Sequence, residues 1–216
     1  MEVVIMKELL GSNDKLAADN REYFKQRSLY TVNLMGSPGS GKTTLISAIH
    51  KALPDIKIGV IEGDIASSID TERMEKEGVR SVQINTCGEC HLDAKVVRDG
   101  ANLLDMKDAI VFIENVGNLI CPAEFDLGEN LKLVSASVPE GDDKPFKYVP
   151  MFSCADAVAI TKYDLTEAVG FNTEYFYKGL RAVSSAPAFK ISCKKDQGVK
   201  GLADFLAKKY AETYRK

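Results

Sequence analysis

At 216 residues, with a net charge of -3, 45% hydrophobic and 27% charged residues, the chain is long enough for one α/β domain with a full core and short for two. That balance gives no basic excess for a nucleic-acid surface, and no apolar run approaches the roughly 18 residues of a membrane span. Five cysteines, an odd number, argue against a disulfide framework and for free thiols or metal ligands in the cytosol.

Residues 1–28 are expected to form a helical arm ahead of a single domain at 29–216. Glu2 and Lys7 break the apolar character of "MEVVIMKELLGSNDK", so it lacks the core of a secretory signal. "DKLAADNREYFKQR" has helical character, with Asn13 or Asp14 as a cap, and the arm is expected to pack outside the sheet.

"LYTVNLM" at 29–35 is a continuous β-branched and apolar run, as for a strand buried on both faces. "GSPGSGKTT" follows at 36–44 and opens a helix at Thr43 to Leu53. Gly36, Gly41, Lys42 and Thr43 satisfy G-x-x-x-x-G-K-[ST] between strand and helix, where such a loop aims backbone N–H groups at phosphate oxygens. The expected nucleotide contacts are Gly36, Ser37, Gly39, Ser40, Gly41, Lys42, Thr43 and Thr44. Lys42 reaches the β- and γ-phosphates, and the Thr43 hydroxyl holds Mg2+.

A second strand is expected at 56–62 and a helix at Asp70 to Glu77. Between them Asp64 is a candidate for the Mg2+ ion or its water. "NTCGECHLDA" at 85–94 precedes a helix at Leu92 to Leu104. Cys90 and His91 are adjacent, so they share a metal only from a loop. A thiolate with an imidazole suits Zn2+ or Ni2+.

"AIVFIE" at 109–114 is the next strand. Glu114 leaves it where the Mg2+-side acid is expected, and Gly117, three residues on, offers a backbone N–H to the γ-phosphate. Lys42, Asp64, Glu114 and Gly117 form the candidate catalytic set. Cys121 follows Gly117 by four residues, and a parallel sheet can bring its loop beside Cys90. Further ligands are water, Cys87 or a residue of a second copy. The competing reading of these cysteines is ordinary packing, as expected for Cys154 and Cys193.

Strands at 131–137 and 157–161 flank "PEGDDKP" at 139–145, an exposed or mobile loop by composition. Thr161, Lys162 and Asp164 of "TKYDL" favour guanine: the carboxylate accepts from N1–H and the exocyclic amine, a donor pair adenine lacks. The backbone of Ser192, Cys193 and Lys194 offers N–H groups to the guanine carbonyl. Helices at Glu174 to Val183 and from Val199 onward surround a strand at 188–192. The order predicts an α/β P-loop NTPase fold with a mostly parallel sheet flanked by helices on both faces.

The chain resembles the HypB family, GTPases of the SIMIBI class that serve nickel incorporation into nickel-iron hydrogenase. The resemblance rests on "NREYFKQ", "NLMGSPGSGKTTL", "VIEGD", "CHLDA", "ENVGNLICPAEFDLGE", "EGDDKP", "TKYDL" and "ISCKKDQGV", in order across residues 20–199. It implies GTP and Mg2+ at the P-loop and a shared Zn2+ or Ni2+ site at Cys90, His91 and Cys121. It also implies a homodimer, hydrogenase maturation proteins or the hydrogenase precursor as partners, and a nucleotide-responsive segment at Asp70 and Arg73.

The chain departs from the family at Ser67, where threonine is common, at Thr161, where asparagine is usual, and at Cys87, usually glycine. It shows no Cys-x-x-Cys-Gly-Cys or histidine-rich stretch, so nickel storage is not expected. Slow turnover is expected, because no arginine near the P-loop serves as a finger. GTP hydrolysis is expected to shift the Cys121 loop through Gly117. The rivals are a urease accessory GTPase, whose Cys-Pro-His motif is replaced here by Cys-His-Leu-Asp, a small-molecule kinase with an incidental zinc site, and a structural zinc protein.

Overall fold

The computed structural model describes the backbone of residues 4–64 and 74–214 and the side chains of 11–63 and 74–214. The Asp64 side chain, Ser67, Asp70 and Arg73 lie outside the described residues, as does the expected helix before Met74.

Seven parallel strands form one sheet: β1 (Leu29–Met35), β2 (Lys57–Asp64), β3 (Arg80–Asn85), β4 (Ala109–Glu114), β5 (Leu131–Ser137), β6 (Ala157–Thr161) and β7 (Ala188–Lys190). Their spatial order is β3-β2-β4-β1-β5-β6-β7. Every residue of β1, β4 and β6 is buried, which is why these strands read as largely apolar runs without alternation.

Both faces are covered by the longer described helices: α1 (Val4–Gln26), α2 (Lys42–Ala52), α3 (Ala94–Leu104), α4 (Thr173–Val183) and α5 (Val199–Tyr214). Tyr30, Val32 and Leu34 of β1 join Ile110 and Phe112 of β4 beneath α2 and α5. On the other face Leu29, Val111 and Ile113 pack with Phe24 of α1 and Val97, Ala101 and Leu104 of α3, while Val134, Val158 and Ile160 pack with Phe176 and Leu180 of α4. Among the described residues no helix is long and apolar enough to cross a membrane.

Several expectations are corrected. β3 was not expected, because Val82 and Ile84 alternate with polar residues and the strand is an edge, only half-buried. Asn13 and Asp14 cap nothing, since α1 runs through them. Asn13 instead spans two segments, donating to the Asp126 carbonyl at 2.8 Å and accepting from the Ala94 N–H at 2.9 Å. α3 starts at Ala94, two residues after the expected Leu92, because the Asp93 carboxylate caps it by accepting from the Val96 N–H at 2.8 Å. The 139–145 stretch is not a loose loop. Ser137 and Glu140 close a capping box, and Lys144–Lys147 forms a helical turn over the buried Pro145.

Candidate functional site

Most of the candidate residues leave the carboxyl ends of the strands, where ligands bind in open α/β sheets. After β1 the chain turns through Gly36, where an added Cβ would lie 2.3 Å from the Ser135 carbonyl oxygen, so only glycine fits. Gly41 caps α2 in the left-handed conformation at φ 90. The Ser40 carbonyl accepts from the Thr161 hydroxyl at 2.6 Å and the Ser135 hydroxyl at 3.1 Å. Lys162 donates to the Gly39 carbonyl at 2.7 Å. Thr161 therefore braces the phosphate loop.

Lys42 is buried, with its ammonium 3.4 Å from the Gly36 carbonyl and 3.3 Å from that of Ser37. The Thr43 hydroxyl donates to Glu114 Oε1 at 2.9 Å. Lys42, Thr43 and Glu114, with Gly39, Gly41, Thr44 and Gly117, line one cavity. A Cβ on Gly117 would stand 2.7–2.9 Å from Pro38, so the Gly117 backbone lies directly against the loop. Gly36 and Asn118 also pair as an isolated antiparallel bridge.

Glu62 lines the same cavity, buried and in register with Glu114 on the neighbouring strand. Sequence reasoning missed it in favour of Asp64. The signal was there, since Glu62 is an acid at the end of an apolar run and a buried carboxylate needs a reason.

A second cavity adjoins the first, lined by Thr44, Thr161, Lys162, Asp164, Cys193 and Lys194 among others. The Ser192 hydroxyl donates to Asp164 Oδ1 at 2.6 Å, and this bond holds the carboxyl below the usual carboxylate range. Ser192 itself is buried behind Asp164. Its side chain orients the acid.

The loops after β3 and β4 converge on a third feature. The ligand atoms of Cys90, His91 and Cys121 all lie within 4.8 Å of one another, and Cys90 Sγ is 3.5 Å from His91 Nδ1. With metal–sulfur bonds near 2.3 Å, two thiolates on one ion stand about 3.8 Å apart in a tetrahedron and about 4.6 Å apart across a square plane. Both arrangements fit, and two sulfurs with an imidazole suit Zn2+ or Ni2+.

The Cys121 thiol beside it pushes the Cys90 thiol up. Phe125 stacks on His91 with ring centroids 3.7 Å apart and planes at 28°. Cys87 is exposed at φ 53 and is not one of the three. Cys154 is half-buried and bonds the Met151 carbonyl at 3.3 Å.

A braced phosphate loop, an adjoining cavity with an oriented carboxylate and a cluster of thiols and imidazole define a P-loop nucleotide-binding domain with a candidate transition-metal centre. Residues 30–189 match the family described as the CobW/HypB/UreG nucleotide-binding domain. The chain is 40% identical over 219 residues to the hydrogenase/urease maturation factor HypB of Helicobacter hepaticus, covering 99% of this chain and 90% of the relative. Its fold matches the crystal structure of HypB from Helicobacter pylori in complex with nickel, with a TM-score of 0.89, 39% identity and coverage of 94% and 97% of the two chains. It also matches HypB from Archaeoglobus fulgidus, with a TM-score of 0.87, 38% identity and coverage of 93% and 100%. The chain belongs to the CobW/HypB/UreG nucleotide-binding family and, within it, to HypB.

Proposed function

We propose that this chain is a slow GTPase that holds nickel at Cys90, His91 and Cys121 and releases it to a nickel enzyme under maturation. The observation that carries the reading is spatial: Cys121 lies four residues from Gly117, which rests on the phosphate loop, while its thiol stands within 4.8 Å of the Cys90 and His91 ligand atoms. Names among the relatives support a maturation role, and the nickel complex of the Helicobacter pylori protein supports nickel as cargo.

Water attacks the γ-phosphorus, the bond to the β–γ bridging oxygen breaks, and GDP and inorganic phosphate leave. The phosphate-loop N–H groups and Lys42 bind the phosphates and stabilise their developing charge. Thr43, Glu114 and a second acid, Glu62 of the same cavity or the expected Asp64, would hold Mg2+, which would supply further charge neutralisation. The Gly117 N–H meets the γ-phosphate. Asp164, oriented by Ser192, accepts from the guanine N1–H and exocyclic amine, which selects GTP over ATP. The backbone of Cys193 and Lys194 faces the guanine carbonyl.

Losing the γ-phosphate frees Gly117 to move, and Asn118 to Cys121 move with it, so metal affinity differs between nucleotide states. Such coupling is reciprocal. The centre is open at Cys90, and a second copy of the chain completes the ligand set in a homodimer. The partners are hydrogenase maturation proteins or the hydrogenase precursor, and Zn2+ competes for the same ligands.

The test is a nickel titration of protein loaded with GDP or with a non-hydrolysable GTP analogue. Affinities about 5- to 150-fold apart are expected, and equal affinities would remove the switch. Cys121→Ala should erase the difference while guanine nucleotide still binds.

A further inference from the structure

We propose that Asn115 is the positioning residue that transmits the state of the nucleotide cavity to the Cys90 and His91 half of the metal centre. The inference rests on the switch reading above, and it supplies what that reading lacks. Chain continuity moves Cys121 with Gly117, but Cys90 and His91 sit on a different loop and need a link of their own.

Asn115 is the first residue beyond β4 and is buried. Its Oδ1 accepts two backbone hydrogen bonds, from Val116 N–H at 3.0 Å and from Leu92 N–H at 3.0 Å. Val116 precedes Gly117, and Leu92 follows His91. One side-chain oxygen thus clasps the backbone of both loops, each one residue from the atom that matters.

The clasp is held in one orientation. Asn115 Nδ2 donates to Asn33 Oδ1 at 3.1 Å, Asn33 Nδ2 donates to Glu129 Oε1 at 3.2 Å, and Glu129 Oε2 accepts from the Leu127 N–H at 2.8 Å. Turning the Asn115 amide over would set its N–H2 against two N–H donors. The backbone N–H of Asn115 is fixed to the Leu34 carbonyl at 3.0 Å.

The far end is equally firm. Leu92 is fully buried, and a Cβ on Gly63 of β2 would lie 2.8 Å from the Leu92 side chain, so this residue has little room of its own. A displacement at 115–117 therefore reaches His91 through the Leu92 backbone instead of dissipating in side-chain motion.

The experiment is nickel titration against a competing chelator, with the full chain loaded with GDP or a non-hydrolysable GTP analogue, in wild type, Asn115→Ala and Asn115→Asp. Any change common to both nucleotide states cancels in the affinity ratio. The wild-type ratio is expected at about 5- to 150-fold. In Asn115→Ala it should collapse toward one, and in Asn115→Asp, which keeps an acceptor for both amides but loses the donor to Asn33, part of it should return.

A wild-type ratio of one overturns the switch reading itself. A normal wild-type ratio that survives in Asn115→Ala overturns the role of Asn115 alone. Amide hydrogen exchange on metal-free wild type needs no variant: exchanging GDP for the analogue should change protection at Val116 and Leu92 together. A change at Val116 with Leu92 unmoved overturns the proposal.

Discussion

Phe125→Ala should weaken nickel binding by a modest and calculable factor. The Phe125 ring stacks on His91 at 3.7 Å between centroids. Such a pair contributes about 0.5–1.5 kcal/mol beyond its buried area, and immobilising a freed side chain on binding costs about the same. At about 1.4 kcal/mol per tenfold, the loss is about 2- to 12-fold in affinity. The readout is chelator competition at fixed pH, with Phe125→Tyr expected to stay near wild type. Because the ring acts through His91, Phe125→Ala should have no effect on affinity in a His91→Ala background. An equal loss in both backgrounds, or no loss in the native one, refutes preorganisation of the imidazole by stacking.

Gly117→Ala places a Cβ 2.7–2.9 Å from Pro38, so the loop must shift. Stability should fall by about 1–3 kcal/mol, and competition binding should show that the analogue of GTP loses its advantage over GDP; an unchanged preference would separate Gly117 from the γ-phosphate. Burial pushes the Glu129 carboxyl up, against the opposing pull of Lys132 at 3.7 Å. The folded state then holds its proton at a pH where the unfolded state has lost it, so this group's contribution to stability falls as pH rises through and above the unfolded value of about 4.3. Glu129→Gln should flatten that descending limb in denaturant midpoints measured between about pH 4 and pH 8, at a pH-independent cost of about 1–3 kcal/mol for an acceptor lost; parallel slopes in the two proteins would refute the assignment.

The central strands and the phosphate loop were legible because their signals are local: β1 and β4 are buried along their whole length, and the glycine motif falls between strand and helix. The nearness of Cys121 to Cys90 was legible for a topological reason, since parallel strands put their following loops on one edge. What escaped depends on partners remote in sequence. Asn20 in mid-helix reads as a weak helix former, yet it donates to the Ala94 carbonyl at 2.7 Å and the Leu127 carbonyl at 2.9 Å. Asn33 and Thr31 interrupt a buried strand and read as noise until Glu129 and Asn130 fold back to meet them. β3 escaped because an edge strand alternates where a central one does not.

Strand order explains why the proposed coupling has to be mechanical. The loops bearing Cys90 and Cys121 leave β3 and β4, with β2 between them, so the strands are separated by about 9.6 Å, twice the spacing of neighbours. A metal held between their loops lies over the end of β2, the strand that brings Glu62 to the phosphate cavity. Proximity of this kind invites an electrostatic account, but charge bookkeeping opposes it. Free thiols, with an ordinary pKa of about 8.5, are mostly protonated at pH 7, and the Cys121 thiol beside it pushes the Cys90 thiol up. Binding a divalent ion as two thiolates expels two protons, and the net charge of the centre is the same before and after. Coulomb interaction with the nucleotide phosphates then changes little. What does change is where the ligand atoms must stand, and the proposed link would carry that through the backbone from Gly117 to Cys121 and the hydrogen bonds of Asn115.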